Sequence, residues 1–85
     1  MTTAARVPSR EIIEMVAIRL VEVRDPQWVR DFVARAIGRV GEGGAIIDYL
    51  HAFGEQAAFE GDEPVLVALI LVSHDIDRRW AELNP

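Results

Sequence analysis

The stretch Val65 to Val72, reading Val-Leu-Val-Ala-Leu-Ile-Leu-Val, has no polar face in a chain of only 85 residues. A helix that is apolar all round is expected to be covered all round, because each Å² of apolar surface left in water forgoes about 25 cal/mol. At ~1.5 Å per residue the run is about 12 Å long as a helix, far short of the ~30 Å hydrocarbon core of a bilayer. It therefore predicts either the central helix of a small core or part of an interface between copies. The β-branched residues at 65, 67, 70 and 72 would also suit a buried strand. No second strand-like run is present to pair with it, and a lone strand leaves its backbone groups unsatisfied, so the helix is preferred.

Three more segments carry helical periodicity. The first opens at Ser9, read as an N-cap, with Glu11 in the first turn where the helix dipole favours a carboxylate. Ile12, Ile13, Val16, Leu20 and Val23 then share one face, with Arg10 and Glu14 opposite. Met15, Ile18 and Val21 lie outside that stripe, so this helix presents more apolar surface than one neighbour covers. Asp25 followed by Pro26 marks the second helix, a cap with proline at the first helical position. Trp28, Val29, Phe32, Val33, Ala36, Ile37 and Val40 form its inward stripe, while Gln27, Arg30, Asp31, Arg35 and Arg39 face water.

Gly41-Glu42-Gly43-Gly44 reads as a flexible joint, since glycines lose too much backbone entropy inside a helix. It is not a phosphate-cradling loop, because no Lys-Ser/Thr follows it and no strand precedes it. The third helix is expected over residues 45–59, with Ile46, Tyr49, Leu50, Phe53 and Ala57 inward and Gly54 where a neighbour comes close. Gly61 supplies its stop, and Asp62-Glu63-Pro64 starts a fourth helix that runs through Ile76 and Trp80 to Leu83. The expected fold is all-α, a compact antiparallel bundle of about four helices around a central apolar fourth one. Residues 9–85 form this single domain, and residues 1–8 a flexible N-terminal arm.

Charge and composition narrow the function. Residues 1–41 carry seven arginines and five acids, whereas residues 42–85 carry two arginines and nine acids. The two parts differ in sign, which suits electrostatic steering toward a copy or a basic partner. A net charge of −5 without a basic patch argues against direct contact with nucleic acid, whose affinity rests on phosphate neutralisation. With no cysteine there is neither a disulfide framework nor a thiolate nucleophile or ligand. The first residues lack the apolar core of a signal peptide, so a cytoplasmic location is expected.

Chemistry finds little footing. Asp48, His51 and Glu55 share one exposed edge of the third helix, and His74, Asp75 or Asp77 would have to complete a metal set. Bundle metal sites draw a Glu-x-x-His motif from each of two helices, and this chain has a single Asp-x-x-His, so no metal or other cofactor is expected. Ser73 and His74 are adjacent and point about 100° apart on a helix, so they form no dyad. The expectation is therefore a small non-enzymatic protein–protein interaction module, an adaptor or regulatory subunit, with another protein or a second copy as partner. Its candidate interface residues are Met15, Ile18, Val21, Trp28 and Trp80, the two tryptophans lying near element ends where an amphipathic ring can anchor a partner. The alternatives are an acidic inhibitor or antidote that blocks a basic nucleic-acid-binding site on its target and, behind it, a metal-dependent enzyme.

From this reading, His51→Ala is expected to change stability by less than about 0.5 kcal/mol, as an ordinary surface substitution does. A chelator is expected to leave the melting temperatures of wild type and variant unchanged. A chelator that lowers only the wild-type value would restore the metal-site reading.

Overall fold

Capping chemistry sets where the helices of this chain begin and end, in a computed structural model that describes residues 4–85. The elements are α1 (Ser9–Leu20), α2 (Pro26–Gly41), α3 (Ile46–Glu60) and α4 (Glu63–Leu83). The Asp25 carboxylate accepts the Trp28 N–H at 3.0 Å at the start of α2, and Asp62 accepts the Val65 N–H at 3.5 Å at the start of α4. Proline occupies the first turn in both, where its missing N–H has no partner to lose. Ser9, by contrast, is not a cap. The Pro8 carbonyl already accepts the Ile12 N–H at 3.1 Å, so the helical turn starts one residue earlier and no side chain caps it.

Two helices end on the same glycine device. After α2 the Gly43 and Gly44 N–H groups return to the carbonyls of Val40 (3.0 Å) and Arg39 (2.9 Å). After α3 the Gly61 and Asp62 N–H groups return to Ala58 (3.1 Å) and Ala57 (2.8 Å). This is the Schellman closure, and it requires a left-handed residue, supplied by Gly43 at φ 93° and Gly61 at φ 70°. Gly44 is needed for room, because a Cβ there would stand 2.9 Å from the Arg39 carbonyl oxygen. The expected flexible joint is thus a hydrogen-bonded turn, with Gly41 still inside α2.

The helices run antiparallel in chain order around a square. Residues near the start of α1 meet the end of α4 and those near its end meet the start of α4, as the pairs Glu11–Arg79, Arg19–Asp75 and Arg24–Asp62 show. Trp28 and Phe32 of α2 stack against Phe53 and Tyr49 of α3 in the same opposed sense. Across the square α1 also approaches α3, whereas α2 and α4 make no close approach among the described residues. The core is a single cluster with Phe32, Leu20, Val16, Val65 and Val72 fully enclosed. Of the N-terminal arm, residues 4–8 are described: Val7 packs on the core, and Ala5 exchanges two 2.8 Å hydrogen bonds with the Asn84 side chain. Residues 1–3 of the expected arm lie outside the described residues.

The enclosure expected for Val65 to Val72 is only one-sided. Val65, Ala68 and Val72 are buried, but Val67, Ile70 and Leu71 are exposed, because α4 is a corner of the square with neighbours α1 and α3 on one side. One stripe assignment changes: Ile37 of α2 lies about half-exposed rather than inward, whereas Trp80 of α4, offered as an interface anchor, is also about half-exposed. Leu69 is partly buried, with its Cδ1 3.5 Å from where a Cβ on Gly54 would stand, so the close approach expected at Gly54 is a side chain's.

These positions set different costs for truncation. Phe32→Ala is expected to destabilise by about 3 to 5 kcal/mol, and Leu69→Ala, only partly buried, by about 1 to 2 kcal/mol. Urea denaturation followed by circular dichroism measures both. Equal losses would contradict the packing described.

Candidate functional site

The seam between α1 and α4 determines what the surface offers. Arg19 lies in the last turn of α1, where a cation complements the helix dipole, and its planar fork reaches across to α4. Its Nε and Nη2 each donate to one oxygen of Asp75 at 2.9 Å. The hydrogen bond from Arg19 chiefly holds the Asp75 carboxyl below its ordinary range, against desolvation by burial; Arg78 and His74 add weaker attraction. At one end of the seam Arg79 bridges Glu11 and Glu82, both at 3.1 Å. At the other end Arg24 pairs with Asp62, bonds its own Val23 carbonyl at 2.7 Å and lies 5.7 Å from the centre of the Trp28 ring. The opposite charges of the two chain halves therefore meet within the molecule at Arg19–Asp75 and Arg24–Asp62.

With that register fixed, the outer side of α4 carries Val67, Ile70 and Leu71, 49%, 58% and 38% exposed. Ile18 protrudes from α1 and Val21 from the residue just after its end, at 63% and 54%. On α3 Ile47 is exposed at 40%, and Phe59, at 88%, is the most exposed large apolar side chain of the described residues. Single exposed apolar residues are ordinary, whereas three within five positions of one helix form a patch, and patches mark association surfaces.

The five candidate interface residues do not come together. Ile18 on α1 and Val21 just after it are exposed, but Met15 packs partly buried against the core. Trp28 is also partly buried, its ring parallel to Phe32 (interplanar angle 3°, centroids 6.0 Å apart) and 5.9 Å from Phe53, so it belongs to the aromatic contact between α2 and α3. Trp80 lies on α4, more than two turns beyond the Ile70–Leu71 patch. Val67, Ile70 and Leu71 belong to the run read as either a core helix or part of an interface between copies, without being singled out, and Phe59 was missed by the sequence reading. For Phe59 a signal was present, since it lies two residues past the inward Ala57 and so on the opposite face.

The polar candidates are placed as follows. Asp48, His51 and Glu55 are all exposed on α3, and among the described residues no three His, Asp or Glu side chains gather as a metal set. His51, Ser73 and Asp77 instead rim an open groove of about 290 Å³ between α3 and α4, whose floor is Leu50, Leu69 and Val72. A second groove of about 310 Å³ lies between α1 and α2, along Ile13, Val33 and Val40. No buried side-chain nitrogen or oxygen among the described residues lacks a hydrogen-bond partner. Neither groove thus holds an orphaned polar group aimed at a ligand. No helix among the described residues is long and apolar enough to cross a membrane. Comparison with family models, with curated proteins and with solved structures returns no match for this chain.

The lowered Asp75 titration has a definite sign. Its contribution to stability is complete above the ordinary carboxylate value of 3.8 and is lost as pH falls from there through the lower folded value. Asp75→Asn removes that dependence. The wild-type melting temperature is therefore expected to fall more steeply than the variant's on acidification below about pH 4, where aspartates ordinarily titrate. Parallel curves in a pH series of thermal melts would show that the pair adds nothing.

Proposed function

We propose that this chain is a non-enzymatic protein–protein interaction module, an adaptor or regulatory subunit, that associates with copies of itself through the outer apolar side of α4. The observation that carries the reading is the exposure of Val67, Ile70 and Leu71 together on one helix that already has its core contacts. Burying them against a second apolar surface recovers stabilisation that the monomer forgoes. Ile18 on α1 is exposed as well, one residue before the Arg19 that joins α1 to α4.

The acidic-inhibitor alternative draws less support. Asp62 and Asp75, two of the nine acids after residue 41, are engaged with Arg24 and Arg19 and are not free to imitate a phosphate row. Salt distinguishes the two readings, since a complex built on charge weakens steeply with ionic strength and an apolar one does not.

Sedimentation at micromolar concentration is expected to show a species larger than the 9.5 kDa monomer. Ile70→Asp is expected to shift it to monomer with an unchanged helical circular dichroism spectrum, since the residue lies outside the core. A wild type that sediments only as monomer would end the self-association reading.

A further inference from the structure

Along α4 a second spacing runs beside the core stripe. Glu63, Val67, Ile70, His74, Asp77 and Ala81 recur at alternating intervals of four and three residues, and all six are exposed. That is the spacing of a seam between two helices, and the contacts of α4 with α1 and α3 leave it uncovered. Leu71 and Arg78 flank the stripe, also exposed. The row is apolar at Val67 and Ile70 and carries an acid toward each end, Glu63 and Asp77, with Arg78 flanking the second.

We propose that two copies of the chain pair through this face of α4, antiparallel about a two-fold axis that passes between Ile70 and Leu71. The proposal rests on the self-association reading above and specifies its geometry. In this register Ile70 and Leu71 of both copies gather at the axis, Val67 lies level with His74 of the second copy, and Glu63 lies level with its Arg78. The interface is isologous, so each contact occurs twice.

Charge selects the register. Glu63 has no ion pair among the described residues. Arg78, with its side chain 70% exposed, comes no nearer than 3.8 Å to Asp75, whose two oxygens already accept from Arg19. Antiparallel pairing brings each Glu63 to an Arg78. A parallel arrangement would set Glu63 against Glu63 and Arg78 against Arg78, and like charges suppress a pairing. Sliding the antiparallel pair by seven residues would place Ile70 opposite Arg78 and Leu71 opposite Asp77, leaving the apolar groups against charge. Of these three arrangements only the proposed one keeps the apolar centre together and brings Glu63 to Arg78, with Asp77 one residue from that level.

The absence of cysteine makes the geometry measurable, since introduced thiols are the only ones present. Under mild oxidation Ile70→Cys alone is expected to form a covalent dimer, as its two copies lie within about 1.5 Å in height across the axis. Val67→Cys alone is expected to stay uncoupled, because its copies are offset by about 10 Å along the helices, beyond the ~7 Å limit for a disulfide. An equimolar mixture of Val67→Cys and His74→Cys is expected to cross-link. Glu63→Arg and Arg78→Glu are each expected to weaken the dimer about tenfold, the effect of about 1.4 kcal/mol, and the double swap to restore it.

The outcomes separate the two proposals. A wild type that is monomeric in sedimentation overturns this geometry and the self-association reading together. A wild type that dimerises while Ile70→Cys fails to cross-link, or while Val67→Cys couples to itself, overturns the geometry alone. Failure of the double swap to restore a dimer weakened by the single changes does the same.

Discussion

Three charged contacts step along the line where the first and last helices of the chain run side by side: Glu11 with Arg79, Arg19 with Asp75, and Arg24 with Asp62. Part-exposed ion pairs of this kind contribute little net stability, so their importance lies in selecting an alignment. Between Val65 and Val72 the last helix is apolar on every side, and hydrophobicity alone does not say which side to bury. Judged by area, Val67, Ile70 and Leu71 would be the better core than Val65, Ala68 and Val72. The buried side is the one that continues through Leu69 and Ile76 and that brings Asp75 and Arg79 to α1.

The opposite side of the bundle is closed by different chemistry. Phe32 is fully buried and lies 4.8 Å from Phe53 and 5.7 Å from Tyr49, measured between ring centroids, in tilted geometry. Trp28 extends this stack toward the start of α2, where Arg24 lies near its ring and also binds Asp62. Arg24 therefore connects the aromatic side with the charged side at one end of the molecule. Tilted and offset aromatic pairs add about 0.5 to 1.5 kcal/mol each beyond the area they bury, so this contact carries energy where the α1–α4 seam chiefly carries specificity.

A consequence of the corner position of α4 is that the chain completes its core and still presents an apolar row to water. The uneven charge distribution acts partly within the molecule, since Arg19 and Arg24 of the positive half hold Asp75 and Asp62 of the negative half. What remains outward on α4 is a short apolar centre with Glu63 before it and His74, Asp77 and Arg78 after it.

Much of the architecture was legible before any coordinates. Asp25-Pro26, Asp62-Glu63-Pro64 and Gly61 mark element boundaries because capping and left-handed glycine are local, governed by a few neighbouring backbone groups. The stripes containing Phe32, Val16 and Leu50 were legible because a 3.6-residue period is a property of the helix alone. The interface residues were legible only in part: Ile18 and Val21 broke a stripe and are exposed, Trp28 follows the inward stripe on which it was also placed, and Met15 turned inward against a neighbour the sequence does not place. The exposed side of α4 was invisible for a physical reason, since a helix apolar all round has no periodicity from which to read its rotation. That rotation was decided by tertiary structure, through the arginines of α1 and the carboxylates of α4 that meet them.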